Sequence, residues 1–272
     1  GKEEFSAKMD INDTVSLELT SSLQNTLIRS EIDDLRKDIS SNLKTTIQIS
    51  DMSQPTYYVE NNKFKAFIDN ENNGYFYLGK KFNNDIKNIQ TDDGFYIFLE
   101  LDELSFDSLF SENQLENNTN LKLIKLKIDK LNFFDNTYLN QYFEINFLTN
   151  ETYANFSGKN LNGSMNIDSS GFIRIDVFDT KFEFKGLNSL NSNNTAQINN
   201  INLRFIGNNI QTFDVKFQNI DFYLLKNNKI TTFDNINVSS NSFNIKPTKE
   251  NKKAYISYNN TNNLYKVRGS YE

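Results

Sequence analysis

The sequence has no histidine, no cysteine and no tryptophan, and its 272 residues hold two prolines and ten glycines. Each absence removes a class of chemistry. Without His or Cys there is no zinc-finger ligand set, no His-based triad, no thiol nucleophile and no haem ligand. A bound metal would need carboxylates and carbonyls alone. No disulfide can form, so cysteine usage says nothing about compartment. A net charge of -6 lacks the basic stripe of a nucleic-acid binder. No apolar run approaches the ~18 residues of a membrane-spanning helix. The longest, such as Phe95 to Leu99, have the length of strands. The chain opens on Gly1 rather than Met, and Gly1 to Lys8 has no signal-peptide core. It is therefore expected to be processed or a piece of something longer.

What is present is asparagine and Phe/Tyr. There are 45 Asn, 24 Phe and 13 Tyr, while hydrophobic residues make up 37%. The Asn, Lys, Ile, Phe and Tyr enrichment matches AT-rich codons, so genome composition is the plain account of it. A prion-like tract would cluster its Asn and lose apolar periodicity; here the Asn is interleaved with alternating segments. Sequons such as Asn150 to Thr152, Asn155 to Ser157 and Asn162 to Ser164 follow from Asn abundance and imply no glycosylation.

Two-residue alternation dominates the chain. Val15, Leu17 and Leu19 alternate with Ser16 and Glu18. The same pattern holds for Ile124, Leu126 and Ile128, for Phe143, Ile145 and Phe147, and for Ile173, Ile175 and Val177. Leu203 and Phe205 flank Arg204, and Phe222 and Leu224 flank Tyr223. These are strands with one apolar and one wet face. Turn signals divide them at Asn72-Asn73-Gly74, Asp92-Asp93-Gly94, Ser169-Ser170-Gly171, Gly207-Asn208-Asn209 and Asn227-Asn228. About fifteen strands in an antiparallel, all-β fold are expected. Ser30 to Leu43 places Ile32, Leu35 and Ile39 near helical spacing and predicts one short helix; Ser105 to Phe110 predicts a helical turn.

A compact body of this mass buries roughly three-quarters of its unfolded surface. The low hydrophobic fraction fits better with one extended, curved sheet, a taco-like β-groove along residues 1–272, with a sub-boundary near 112–120. A long apolar groove needs a ligand or partner. The alternative is a two-sheet sandwich whose core the same residues fill.

Other clusters carry less. Glu100-Leu101-Asp102-Glu103 could be a glycosidase or metal carboxylate set, but reads first as a strand end entering a turn. Asp92-Asp93-Gly94 lacks calcium-loop spacing. The Lys-rich Leu121 to Ile128 stretch reads first as one solvated strand face, with a face toward anionic headgroups as the alternative. Gly158 and Gly163 mark bulges or close backbone approach rather than a phosphate loop. No catalytic constellation emerges, and no cofactor is implied.

Several stretches together resemble one family. They are Leu17 to Ile28, Gly74 to Gly79 with Gly94 to Phe106, and Tyr142 to Glu272. The last includes Phe156 to Met165, Arg174 to Phe184, Ile201 to Phe205, and Val267 to Tyr271. Their order and spacing are similar to YhdP-like members of the AsmA family, over most of the chain. Tyr271 and Phe106 stand where that pattern usually has Trp, and prolines usual near Leu35 are missing. The resemblance implies an internal, periplasmic segment of a large bacterial envelope protein. Its inner-membrane anchor would lie outside this chain. The implied role is to shield phospholipid acyl chains during transport between inner and outer membranes, as part of outer-membrane biogenesis. Partners would be phospholipid acyl chains and other envelope proteins, not nucleic acid. The expected lining is Ile124, Leu126, Ile128, Phe143, Ile145, Phe147, Ile173, Ile175, Val177, Leu203, Phe205, Phe222 and Leu224. Two competing expectations remain. One is a surface-exposed sandwich of adhesin type that binds glycans or protein. The other is a carbohydrate-active enzyme using Glu100, Asp102 or Glu103.

Overall fold

The computed structural model describes residues 3–12, 15–30, 32–79, 93–105, 120–133, 136–182, 201–212, 215–227, 229–246, 254–259, 264–268 and 270–271. The chain divides into two compact units. One is Gly1–Leu104 with Gln114–Asp129, the other Ser105–Asn113 with Lys130–Glu272.

The first unit contains β1 (Ser6–Ile11), β2 (Val15–Ser21), β3 (Thr45–Ser50), β4 (Thr56–Glu60), β5 (Phe64–Ile68), β6 (Gly74–Leu78) and β7 (Phe95–Ser105). β8 (Leu121–Phe133) begins in this unit and ends in the second. Each strand from β1 to β6 pairs antiparallel with the next, while β6 and β7 run parallel. Gly74 N–H bonds the Gly94 carbonyl where Gly74 sits beside Phe95, and Phe95 N–H bonds the Asn120 carbonyl (2.8 Å) just before β8, which neighbours β7 in the sheet.

The second unit contains β9 (Asn136–Phe147), β10 (Glu151–Lys159), β11 (Asn162–Asp168), β12 (Ile173–Phe182), β13 (Ile201–Thr212), β14 (Val215–Lys226) and β15 (Ile230–Ser240). It continues with β16 (Asn244–Lys246), β17 (Tyr255–Asn259), β18 (Leu264–Arg268) and β19 (Ser270–Tyr271). Successive neighbours from β9 to β15 are antiparallel except β12 and β13, which are parallel. β15 then pairs with both β16 and β17, and β17 with β18.

The all-β expectation holds, but the sheet is mixed rather than antiparallel. The cause is connection length. A hairpin takes a few residues, whereas a parallel return takes about a dozen or more. Sixteen residues separate β6 from β7, and eighteen separate β12 from β13.

The expected helix over Ser30 to Leu43 does not form. This stretch holds one 3-10 turn, Asp33–Leu35, and an isolated bridge between Ile28 and Lys37. Lys37 is buried, and its ammonium bonds the carbonyls of Thr26 and Asp38. Those bonds fold the segment back on itself and leave Ile39 exposed, so the helical spacing was coincidental. The turn expected at Ser105 to Phe110 lies, beyond Ser105, outside the described residues, as does most of the sub-boundary near 112–120.

Gly207-Asn208-Asn209 is also not a turn. It lies inside β13, where Asn209 adopts a left-handed backbone (φ 55). Beside it in β12, Asp179 does the same (φ 46), and the pairing steps from Phe178 with Asn208 to Thr180 with Ile210. A left-handed residue inserted in a strand makes a bulge that bends it and raises its twist. Among described non-glycine residues, nine have positive φ, and seven of these are Asn or Asp. Short amide and carboxylate side chains tolerate this region better than other types. The asparagine content is thus used structurally, whatever its origin.

Gly158 and Gly163 behave as the sequence suggested. A Cβ on Gly158 would lie 2.3 Å from the Gln141 amide, and the register shifts between Ser157 and Lys159. A Cβ on Gly163 would lie 2.6 Å from the Phe156 ring and 2.3 Å from the Asp176 carbonyl. Buried side chains include Tyr77, Phe98 and Ile128 in the first unit and Leu131, Tyr138 and Ile210 in the second.

Candidate functional site

The registers of the second unit turn local alternation into continuous rows. Residues directly opposite one another in neighbouring strands share a face. Phe147, Thr152, Ile167, Ile173, Leu203, Leu224, Phe233, Ile256 and Val267 follow one another across β9 to β15, β17 and β18. The next row is Ile145, Ala154, Met165, Ile175, Phe205 and Phe222. A third is Phe143, Phe156, Gly163, Val177, Gly207, Ile220 and Val238. Thr152 is the one polar side chain in these three rows.

Ten of the thirteen expected lining residues therefore stand on one face of one unit: Phe143, Ile145, Phe147, Ile173, Ile175, Val177, Leu203, Phe205, Phe222 and Leu224. Ile124, Leu126 and Ile128 share one face of β8 in the other unit. The first unit has apolar rows of its own, such as Ala7, Leu19, Ile47, Val59, Ala66, Phe76 and Ile97.

Burial is graded across this face: Ile220 and Phe222 pack against a buried cluster of Ile236, Val238 and Ala254, while most of the other row members are half-buried. A sandwich interior buries its inward side chains almost completely. Of the thirteen residues, Ile128 (1% exposed) and Val177 (4%) are buried, and the other eleven are half-buried. Neighbours within the sheet supply much of the cover. Phe205 stacks on Phe222 at 5.3 Å, Phe222 meets Phe233 edge-on at 5.5 Å, and Phe143 lies 6.0 Å from Phe156.

Met165, Ile167, Phe156, Ile220, Phe233, Ile256 and Val267 belong to the same rows but were not expected from sequence. Met165 and Ile167 sit in Asn-Gly-Ser-Met-Asn-Ile-Asp, a stretch with too few apolar residues to stand out. Cross-strand register, not local pattern, identifies them.

The opposite face is polar. Arg174 forks onto Asp176 (2.7 and 3.0 Å), and Arg204 onto Asp221 (3.0 and 2.8 Å). The parallel pairing of β12 and β13 sets Arg174 directly beside Arg204, so each carboxylate offsets a like-charge contact. These hydrogen bonds raise both guanidinium pKa values further above their ordinary range. Arg204 also lies over the Tyr223 ring at 5.3 Å.

Glu100 and Asp102 line an open cleft of about 410 Å³ in the first unit, together with Asp34, Asp129, Lys63 and Lys127. Burial pushes the Asp34 carboxyl above its ordinary range, against the Asp102 N–H that it accepts at 3.3 Å. Lys63 donates to the carbonyls of Asp34 and Arg36. Among the described residues no group of three or more acidic side chains is placed to hold a metal ion. Asp93 accepts from the Tyr96 hydroxyl, while Asp92 lies outside the described residues. No described helix is long and apolar enough to cross a membrane.

No family model, no curated protein and no solved structure matches the chain.

Proposed function

We propose that the apolar face of the second unit shields the acyl chains of a lipid from water. In this reading the chain is a segment of an AsmA-like, YhdP-like envelope protein. It would act in the periplasm, held to the inner membrane by a segment not present here, and conduct phospholipid tails along a β-groove without a cofactor. The observation that supports this most is the row from Phe147 to Val267, apolar in eight of nine strands and half-buried along most of its length.

Its length suits the cargo. Nine strands at ~4.8 Å spacing span about 38 Å. One acyl tail reaches across about half of a ~30 Å hydrocarbon core. A tail could therefore move along the row with apolar side chains beneath it throughout. Each CH₂ taken from water contributes about 0.8 kcal/mol. Many equivalent contacts with Ile, Leu, Val and Phe keep the path nearly level in energy, which suits sliding better than a deep pocket would.

The test is a delipidated sample loaded with a photo-crosslinkable phospholipid and mapped by peptide sequencing. Adducts are expected on peptides bearing Leu203, Phe222 and Leu224. Adducts concentrated on peptides of the first unit, or absence of labelling above that of a water-soluble diazirine, would overturn the proposal.

A further inference from the structure

We infer that Lys226 receives the phosphate headgroup of a lipid whose tails lie on the apolar face. This rests on the proposed function and adds the headgroup class. Lys226 stands two residues beyond Leu224 at the end of β14, so its side chain leaves the sheet on the apolar side. Its register partners are Ile201 and Thr231, which makes it the next row outward from Leu203, Leu224 and Phe233. It is the single charged residue at these register positions, and it sits at their rim.

Its surroundings favour an anion. Lys226 is half-buried, and among the described residues no carboxylate pairs with it. Asp168, on the nearby β11–β12 turn, directs its Oδ1 to Ser170 N–H, Ser170 Oγ and Phe172 N–H and makes no ion pair with Lys226. An ammonium with no carboxylate partner at the edge of an apolar surface is available to an arriving anion. A depression of about 470 Å³ opens at this position, lined by Lys226 with Ser170, Gly171, Ile201, Asn202 and Asn227. A Cβ on Gly171 would meet nothing within 4 Å, so the mouth is open. The ammonium acts as a compact point charge of the kind that suits phosphate. Apolar rows on one side and a lone cation at their edge match a molecule with an acyl tail and an anionic head.

The experiment compares two probes with the same tail, oleoyl lysophosphatidate and mono-oleoylglycerol, by equilibrium binding to the full chain at low salt. The lysophosphatidate is expected to bind about tenfold tighter, the worth of one charge-assisted hydrogen bond. The preference should vanish in Lys226→Gln and persist in Lys226→Arg, with mono-oleoylglycerol affinity unchanged in both. Equal binding of the two probes to the native chain overturns the headgroup assignment and leaves the acyl reading intact. So does a preference that survives Lys226→Gln. Inorganic phosphate that competes at the same concentration as the lysophosphatidate would make this a free-anion site, and the lipid assignment would fall. If neither lipid binds, the acyl reading fails along with it.

Discussion

The half-buried face makes a quantitative demand on stability. Ile210 and Leu203 both lie on β13, and Leu and Ile have nearly the same volume. Ile210 is 2% exposed and packs between Thr180 and Phe217. Leu203 is half-buried between Ile173 and Leu224. Truncating a buried Ile to Ala loses its transfer energy and leaves a cavity, at a cost of about 2–5 kcal/mol. Leu203→Ala on an open face loses part of the transfer energy and leaves no enclosed void. Full burial of such a side chain is worth about 1.5–3 kcal/mol, so half of that, about 1 kcal/mol, is expected. Urea unfolding followed by far-UV circular dichroism measures both, fitted with separate transitions for the two units because a single two-state fit does not apply. A Leu203→Ala cost within about 0.5 kcal/mol of the Ile210→Ala cost, on the accuracy of such comparisons, would refute the reasoning. It would mean that the face is closed by something and is a core.

Gly163→Ala is expected to destabilise by about 1–3 kcal/mol through overpacking, since its Cβ meets the Phe156 ring and the Asp176 carbonyl; thermal melts will read it. At Asn209 the left-handed backbone predicts that Gly is tolerated and that Val costs about 1–2 kcal/mol, measured the same way. Asp221→Ala should cost about 1–2 kcal/mol, because Arg204 keeps its like-charged neighbour Arg174 and loses its fork; the double variant with Arg204→Leu should recover part of the loss. Burial pushes the Tyr138 phenol up to about 12 from its ordinary 10. A phenol with a raised folded pKa favours the neutral form, so its contribution is complete below pH 10 and is lost as pH rises toward 12. Tyr138→Phe should flatten that alkaline loss. It should leave stability at neutral pH equal or higher, because the buried hydroxyl has no hydrogen-bond partner among the described residues.

Much of the fold was legible because alternation is a local property. Ile173, Ile175 and Val177 declare their shared face without reference to any other strand. The long connections before β7, β8 and β13 were just as visible, and their length alone rules out tight hairpins. That cue, applied to 79–94 and 183–200, would have predicted parallel pairs. Register is different in kind. Whether Ile175 faces Phe205 depends on where β13 starts and on how many residues the chain inserts at Asp179 and Asn209. A shift of one residue would have put Arg204 among the apolar rows. What prevents the shift is distributed over partners far apart in sequence, such as Arg204 with Asp221 and Leu203 with Leu224. Lys226 went unnoticed for the same reason. In sequence it is one lysine before two asparagines. Its position at the rim of a row that is Phe, Leu, Ile or Val in eight of nine strands follows from the pairing of Leu203 with Leu224 and of Ile201 with Lys226.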